Sequence, residues 1–228
     1  MYYHAKPIID TVLALIMGIL LLAPILFVAI IIKFESSGSI LFKQKRYGKN
    51  KVPFTIYKFR TMHQNAPHDV ATAEIKNVSV ITPSGRLLRR TGFDEIPQLI
   101  NIIKGEMSFI GPRPVILKEK ALIALRDSYG ANNCTPGISG WAQSNGRDEV
   151  EIEEKAYMDG IYAKNFGLRM DLKCFFKTLG VIFTGHGHRE GFDDGIRIKK
   201  IHLLKYALSR TSKRQQMKVV ARDGETVL

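Results

Sequence analysis

Two adjacent carboxylates, Asp94 and Glu95, lie in a stretch crowded with arginine: Arg86, Arg89 and Arg90 precede them and Arg113 follows. Carboxylates ringed by fixed cations suit chemistry on a phosphate ester, where the arginines hold the substrate and an acid group or a metal acts on it. A phosphate approaching two carboxylates is repelled unless a cation intervenes. The usual one is Mg²⁺, a hard ion held by one or two carboxylates together with phosphate oxygens. By that logic Asp94 and Glu95 are candidate Mg²⁺ ligands as well as candidate catalytic groups, although no metal-binding motif supports the assignment. An Asp-Glu pair alone is ordinary helix capping; the surrounding cations make the case for chemistry.

The spacing predicts that these groups open a helix from Phe93 to Gly105, with Asp94 as N-cap and Pro97 in the first turn. Ile96, Leu99, Ile100 and Ile103 would share its buried face. The helix dipole and nearby arginines then favour ionisation, so both carboxylates are expected to be charged at neutral pH. Upstream, Ile40–Gly48 and Pro53–Met62 alternate as two strands joined by a turn at Gly48-Lys49-Asn50. Lys58 and Arg60, two residues apart, would share a strand face and either line an anion site or form a solvated cationic edge. His63–Pro83 shows no period and reads as a mobile loop.

Residues 115–130 read as a helix ending at Gly130, and Thr135–Arg147 (TPGISGWAQSNGR) as a loop dense in turn formers. That loop either anchors its Trp141 in packing or contacts substrate, with Arg147 reaching a phosphate. Glu149–Asn165 is a charged amphipathic helix, and Asp171–Thr184 an apolar one suited to a membrane interface. The tail from Gly191 reads as a basic surface-lying helix or a partly disordered basic tail. His186 and His188 lack zinc-ligand spacing, and no metal is assigned to them.

The chain has 228 residues, enough for one domain with a proper core. Its formal charge of +13 and pI near 9.8 imply an anionic partner: nucleic acid, an acidic membrane surface or phosphorylated substrates. Two distant cysteines, Cys134 and Cys174, fit a reducing compartment without disulfides. Val12–Ile32 is an uninterrupted apolar run, just long enough to cross a hydrocarbon core of roughly 30 Å. Pro24 should break or bend it. Basic residues flank both ends, Lys6 before and Lys33, Lys43, Lys45 and Arg46 after, so charge gives no clean orientation. A helix-break-helix hairpin that enters and leaves on one side fits both facts.

Several ordered segments resemble the bacterial sugar transferase family, the small monotopic phosphoglycosyl transferases that begin polyprenyl-linked glycan assembly. They are KFRTM at Lys58–Met62, FDEIPQL with the following NIIKGEMSFIGPRP, PGISGWAQSNGR, and the DLK of Asp171–Lys173. The resemblance runs to about Gly185. It implies transfer of a sugar phosphate from a UDP-sugar to undecaprenyl phosphate with Mg²⁺, releasing UMP. It further implies that Asp94 attacks the sugar-linked phosphorus to form a covalent phosphosugar intermediate. Glu95 holds the metal or assists proton transfer, two roles that stay undivided here. Arg89 and Arg113 match family arginines that hold phosphate and nucleotide; Lys58, Arg60 and Arg147 are further substrate-binding candidates.

The expected architecture is mixed α/β and helix-rich. A monotopic membrane protein is expected, with a broken re-entrant helix over residues 1–34, a catalytic domain over 35–190 with amphipathic interfacial helices and a small irregular sheet, and a basic extension over 191–228. The catalytic domain belongs on the cytoplasmic face of the bacterial inner membrane, against membrane lipid. The extension is assigned to membrane contact or homo-oligomerisation. The family hairpin usually carries serine before its breaking proline, whereas this chain has Ala23-Pro24, which cannot satisfy backbone groups freed at the break. Two rival readings are a membrane-anchored, non-enzymatic polyanion binder and a UDP-sugar hydrolase. Against the first, no aromatic interleaving marks the basic segments for nucleic acid, and carboxylates spoil a polyanion surface. Against the second, a soluble substrate and water need no bilayer anchor.

Overall fold

Helices α1 (Tyr2–Leu20) and α2 (Leu22–Glu35) account for the apolar run, and the break between them falls at Leu21. Pro24 stands in the first turn of α2. It offers no N–H to the carbonyl of Leu20, and its ring crowds that carbonyl, so α1 ends one turn before the proline. The ladder resumes around the break: the Leu21 N–H donates to Met17 O and the Ile25 N–H to Leu21 O, both at 2.8 Å. By length and composition α1 is apolar enough to cross a membrane. Ile8, Val12, Ile19, Leu20, Leu26, Phe27 and Phe34 leave much of the two helices' surface apolar and exposed.

The computed structural model describes residues 2–64, 66, 80–146 and 151–184, which lie in one compact unit. Most of the expected loop from His63 to Pro83, Arg147, His186, His188 and the tail from Gly191 lie outside the described residues.

The two alternating segments form a hairpin, as their pattern predicts. Strands β1 (Leu41–Tyr47) and β2 (Pro53–Phe59) pair antiparallel, with Leu41 opposite Phe59 and Tyr47 opposite Pro53. A 3₁₀ turn over Lys49–Lys51 joins them, and there Asn50 and Lys51 adopt left-handed φ of 55° and 61°. A short strand β4 (Val115–Ile116) adds to the other edge of β1. Phe54 and Ile56, on one face of β2, join Leu99, Ile102, Met107 and the fully buried Ala14 of α1 in one core cluster. Phe59, on the opposite face, packs with Ile32 and Leu88.

Helix α3 (Pro83–Thr91) was not expected from periodicity, but its ends carry ordinary signals. Thr82 caps it by accepting from the Gly85 N–H at 3.0 Å, Pro83 opens it, and Gly92 closes it at φ 75°. The predicted helix at Phe93 is instead a 3₁₀ segment, Phe93–Gln98, followed by a short α4 (Leu99–Ile103). Asp94 makes no capping bond there, because Gly92 precedes the segment and the Asp94 side chain turns towards β2. The buried face also differs: Gln98, Leu99, Asn101 and Ile102 face inward, whereas Ile100 and Ile103 are exposed. The tighter winding of the 3₁₀ turn shifts the phase of the residues after it.

Strand β3 (Ser108–Ile110) pairs in parallel with β5 (Gly137–Ser139). The predicted helix over 115–130 shortens to α5 (Lys120–Ser128), its first residues being taken by β4. The turn-rich segment from Thr135 is not a loop throughout: β5 leads into α6 (Trp141–Gly146). Helix α7 (Ile152–Lys164) falls within the predicted Glu149–Asn165 but has no marked apolar face, and α8 (Leu168–Thr184) begins three residues before the predicted Asp171.

A buried polar network fastens α1 to this body. Lys6 Nζ lies 2.5 Å from Asp171 and 3.5 Å from Asp10. The Tyr2 hydroxyl donates to Asp171 at 2.5 Å, Tyr162 donates to its other oxygen at 2.7 Å, and the Ser108 hydroxyl donates to Asp10 at 2.6 Å. Lys6 is therefore not a free flanking charge but a buried one. The far end of the apolar segment, after α2, is fastened too. Glu35 accepts from the backbone N–H of Ser84 at 3.0 Å and from its hydroxyl, and Arg60 donates to the carbonyls of Ser36 and Ser37 at 2.6 and 2.7 Å.

Replacing Lys6 by Met should strand two buried carboxylates and destabilise the protein by about 3–5 kcal/mol; denaturant unfolding in detergent micelles, compared with a Lys6→Met/Asp171→Leu double variant that restores part of the loss, measures this. The parallel pairing of β3 and β5 depends on Gly137, where an added Cβ would lie 2.1 Å from the Gly111 nitrogen. Gly137→Ala should therefore displace the chain between β3 and β4 and cut activity at the site that this segment supplies, with less effect on the melting of the hairpin core.

Candidate active site

Strand parity delivers the first cation. Lys58 follows Phe54 and Ile56 on the inward face of β2, where the core ends and the 3₁₀ segment crosses. Its ammonium donates to Glu95 Oε1 at 2.6 Å and lies 3.9 Å from Asp94 Oδ2. Arg113, in the connection between β3 and β4, donates through Nη2 to the same Glu95 oxygen at 3.1 Å.

That connection is held from several sides. The Gly137 N–H donates to Pro112 O at 3.0 Å and the Gly111 N–H to Ser139 O at 2.8 Å, backbone approaches that only glycine permits. Arg126 Nη1 donates to the Arg113 carbonyl at 2.9 Å while its Nε and Nη2 are paired with buried Asp159. Arg46 donates to the Pro114 carbonyl at 3.1 Å. The backbone on both sides of Arg113 is thus fixed before its guanidinium meets the carboxylate.

Of the three arginines on α3, Arg86 and Arg90 are exposed and Arg89 turns inward. Its Nε donates to the Thr61 hydroxyl at 2.8 Å, and its charge acts on Asp94. Gly85 lets α3 cross this closely, since a Cβ there would lie 2.2 Å from the Thr61 carbonyl oxygen.

The two carboxylates are not equivalent. Burial alone would raise both. For Glu95, Lys58 and Arg113 outweigh burial and hold its pKa far below the usual carboxylate range. For Asp94, burial dominates over Lys58, and the neighbouring Glu95 charge adds to it, so its pKa moves up despite Arg89 and Arg113. The expectation of two equally charged groups is corrected accordingly: Glu95 carries the settled charge, and Asp94 is the more easily protonated.

The structure brings together Lys58, Asp94, Glu95 and Arg113, with Arg89 beside them. It does not bring Arg60, which follows the end of β2 and binds the carbonyls closing α2. Arg147 lies outside the described residues. Sequence reasoning missed Arg126, Asp159 and Thr61, which act on the site through others, and Asn101. The Asn101 amide accepts from Tyr57 N–H at 3.2 Å and donates to Thr55 O at 2.7 Å, tying α4 to β2. An asparagine inside the apolar run LINII was its only signal.

Among the described residues no cluster of three metal-ligating side chains occurs. The Asp94–Glu95 pair is a hard, all-oxygen donor set too small to cage an ion by itself. It fits Mg²⁺ bound jointly with substrate phosphates and not a structural metal.

A family model described as bacterial sugar transferase matches residues 1–185. An uncharacterized sugar transferase, EpsL, of Bacillus subtilis is 34% identical over 72% of this chain and 79% of its own length. The UDP-N-acetylgalactosamine-undecaprenyl-phosphate N-acetylgalactosaminephosphotransferase of Aeromonas hydrophila is 37% identical over 78% of this chain. The UDP-glucose:undecaprenyl-phosphate glucose-1-phosphate transferase of Escherichia coli is 36% identical over 80% of it. The match spans 44% and 40% of those last two proteins, less than half of either. Because the matched region holds every described element that places the carboxylates and their cations, this chain belongs to the bacterial sugar transferase family.

Proposed function

We propose that this chain moves a sugar 1-phosphate from a UDP-sugar to undecaprenyl phosphate and releases UMP, the first membrane step in assembling a bacterial polysaccharide or glycoconjugate. The observation that carries the reading is the Asp94–Glu95 pair met by Lys58 at 2.6 Å and Arg113 at 3.1 Å, in a family whose relatives are named for such transfers.

Asp94 supplies the nucleophile. One of its carboxylate oxygens attacks the phosphorus bonded to the sugar, the bond from that phosphorus to the bridging oxygen breaks, and UMP leaves with the oxygen. An oxygen of undecaprenyl phosphate then attacks the same phosphorus and releases the Asp94 carboxylate. Splitting one displacement into two lets a carboxylate begin what the lipid phosphate completes. Arg89 and Arg113 neutralise phosphate oxygens as charge builds, and Lys58 holds Glu95 in place. Asp94 and Glu95 would hold Mg²⁺, which would supply a further positive charge to the phosphates when bound.

The site sits on a membrane-attached body. The exposed apolar surface of α1 and α2 belongs in lipid. Both ends of the hairpin are fastened to the same body, at Lys6 and Asp10 and again at Glu35 and Ser36, and the chain breaks between them. These facts support a re-entrant, monotopic attachment on the cytoplasmic face, where the nucleotide-sugar is made and the lipid phosphate is reached at headgroup depth.

With purified protein, Mg²⁺, undecaprenyl phosphate and a panel of UDP-sugars, wild type should release UMP from a preferred donor only when the lipid is present. Asp94→Asn should leave less than a few per cent of that rate; release that ignores the lipid would favour hydrolysis, and substantial activity in Asp94→Asn would sink the nucleophile assignment. Lys58→Met should lower turnover by about 10²-fold, the scale of losing one preorganised charge. Because the Asp94 pKa is raised, the acid limb of kcat/KM should lie above the ordinary aspartate value of about 3.9. Removing the Lys58 charge should move that limb to still higher pH, since the ionised carboxylate loses a stabilising neighbour; a pH–rate profile of UMP release reads both.

A further inference from the structure

A shallow cleft of roughly 560 Å³, largely open to its surroundings, lies between α6 and α8 and is lined by Trp141, Arg169, Leu172, Lys173, Phe176 and Lys177. None of these residues belongs to the carboxylate site. Arg169, Lys173 and Lys177 recur every four residues and form a cationic ridge along α8. Leu172 and Phe176 form the apolar ridge beside it, and both are exposed together with Leu168 and Phe175. The acidic residue nearest in sequence, Asp171, is buried on the other side of the helix by Lys6, Tyr2 and Tyr162, so among the described residues no carboxylate lines the cleft.

The cleft is also built, not merely basic. The Lys177 ammonium lies 4.7 Å from the centre of the Trp141 ring and donates to the Asn145 side chain, which fixes α6 against α8 at the rim. Trp141 and Phe176 provide a wall for acyl chain, and Arg169 and Lys173 provide cations at headgroup level. The position favours a lipid over a soluble phosphate. The first turn of α1 packs on the start of α8 through Tyr2, Lys6 and the rings of Tyr3 and Phe166, so the exposed apolar side chains of α8 begin where those of the hairpin begin.

We propose that the α6–α8 cleft binds the headgroup of an anionic phospholipid, with the phosphate on Arg169 and Lys173 and an acyl chain along Leu172, Phe176 and Trp141. The site rests on the membrane-attached reading of the chain and is independent of its transfer chemistry. Bound there, a bilayer lipid would set the rotation of α8 about the membrane plane. Through the Asp171–Lys6 link it would also set the seating of α1.

Trp141 is the only tryptophan in the sequence, so its fluorescence reports on this cleft alone. The full chain, as the inactive Asp94→Asn variant, is reconstituted in phosphatidylcholine nanodiscs holding a minor fraction of phosphatidylglycerol. Bromine is placed on the acyl chains of one lipid or the other at matched total content. Brominated phosphatidylglycerol should quench Trp141 several-fold more per bromine than brominated phosphatidylcholine, and Arg169→Gln/Lys173→Gln should abolish the difference. Both side chains are exposed, so the double variant keeps its fold, checked by unchanged melting. Equal quenching by the two lipids in the parent, no quenching by either, or a preference retained in the double variant would each overturn the site. So would displacement of the brominated lipid by undecaprenyl phosphate at substrate concentration, which would make the cleft a substrate channel. Flotation with vesicles keeps the two readings apart: its loss in the parent protein would remove the bilayer attachment itself, whereas its retention with equal quenching removes only the cleft.

Discussion

An ionised carboxylate buried beside a second carboxylate is tolerable only when cations are brought to it and held. Much of this fold does that for Glu95 and its neighbour Asp94. The cations come from segments far apart in sequence: Lys58 from a strand, Arg113 from the connection after β3, and Arg89 from α3. Each arrives by a different device. Strand parity aims Lys58; a glycine-to-glycine backbone approach and the buried Arg126–Asp159 pair fix the main chain at Arg113; the close crossing at Gly85 and the Thr61 hydroxyl aim Arg89. The small sheets are accordingly not a separate module. They are the frame on which charges from distant segments converge.

A second buried charge cluster does comparable work for a different end. Lys6, Asp10 and Asp171, with two tyrosines and Ser108, join the apolar helix α1 to α8 and β3 without contributing to the carboxylate site. An apolar contact would also have held α1, but it would have allowed the helix to slide or rotate. A salt bridge that is costly to break accepts only one register. That distinction matters where a helix in lipid must present a soluble site at one depth, because hydrocarbon contacts are alike all round a helix while an ion pair is not.

The sequence made the hairpin, the apolar run, the two C-terminal helices and the carboxylate cluster legible, because each rests on local period or on residue type. It failed where a local signal competes with packing. The helix at Pro83 was passed over although Thr82, Pro83 and Gly92 mark its ends, since it is short and only Gly85 and Leu88 are buried along it. The phase error at Ile100 and Ile103 came from treating a 3₁₀ turn as α-helix. Arg60 shared the strand face of Lys58 on paper, yet lies beyond the last strand residue and turns to the carbonyls of α2. Arg126 and Asp159 could not be found by pattern at all, because their pairing joins positions 33 apart and contacts the site only through the main chain of Arg113.

The same geometry separates two residues that sequence could not. Glu95 Oε1 accepts charge-assisted bonds at 2.6 and 3.1 Å from two cations, which fix the orientation of that carboxylate and lower its basicity. Asp94 lies 3.9 Å from Lys58, outside hydrogen-bonding distance, so its oxygens keep their lone pairs while the cations still lend it their field. On the proposed mechanism the division follows directly. The residue that is locked supplies fixed charge for the metal and the lysine, and the residue that is not locked is the one able to form and break a bond. Burial sharpens the contrast. It weakens the hold of water on Asp94, which makes an ionised oxygen there more reactive. It also raises the pKa, and the charges of Lys58, Arg89 and Arg113 oppose that rise by favouring the ionised form.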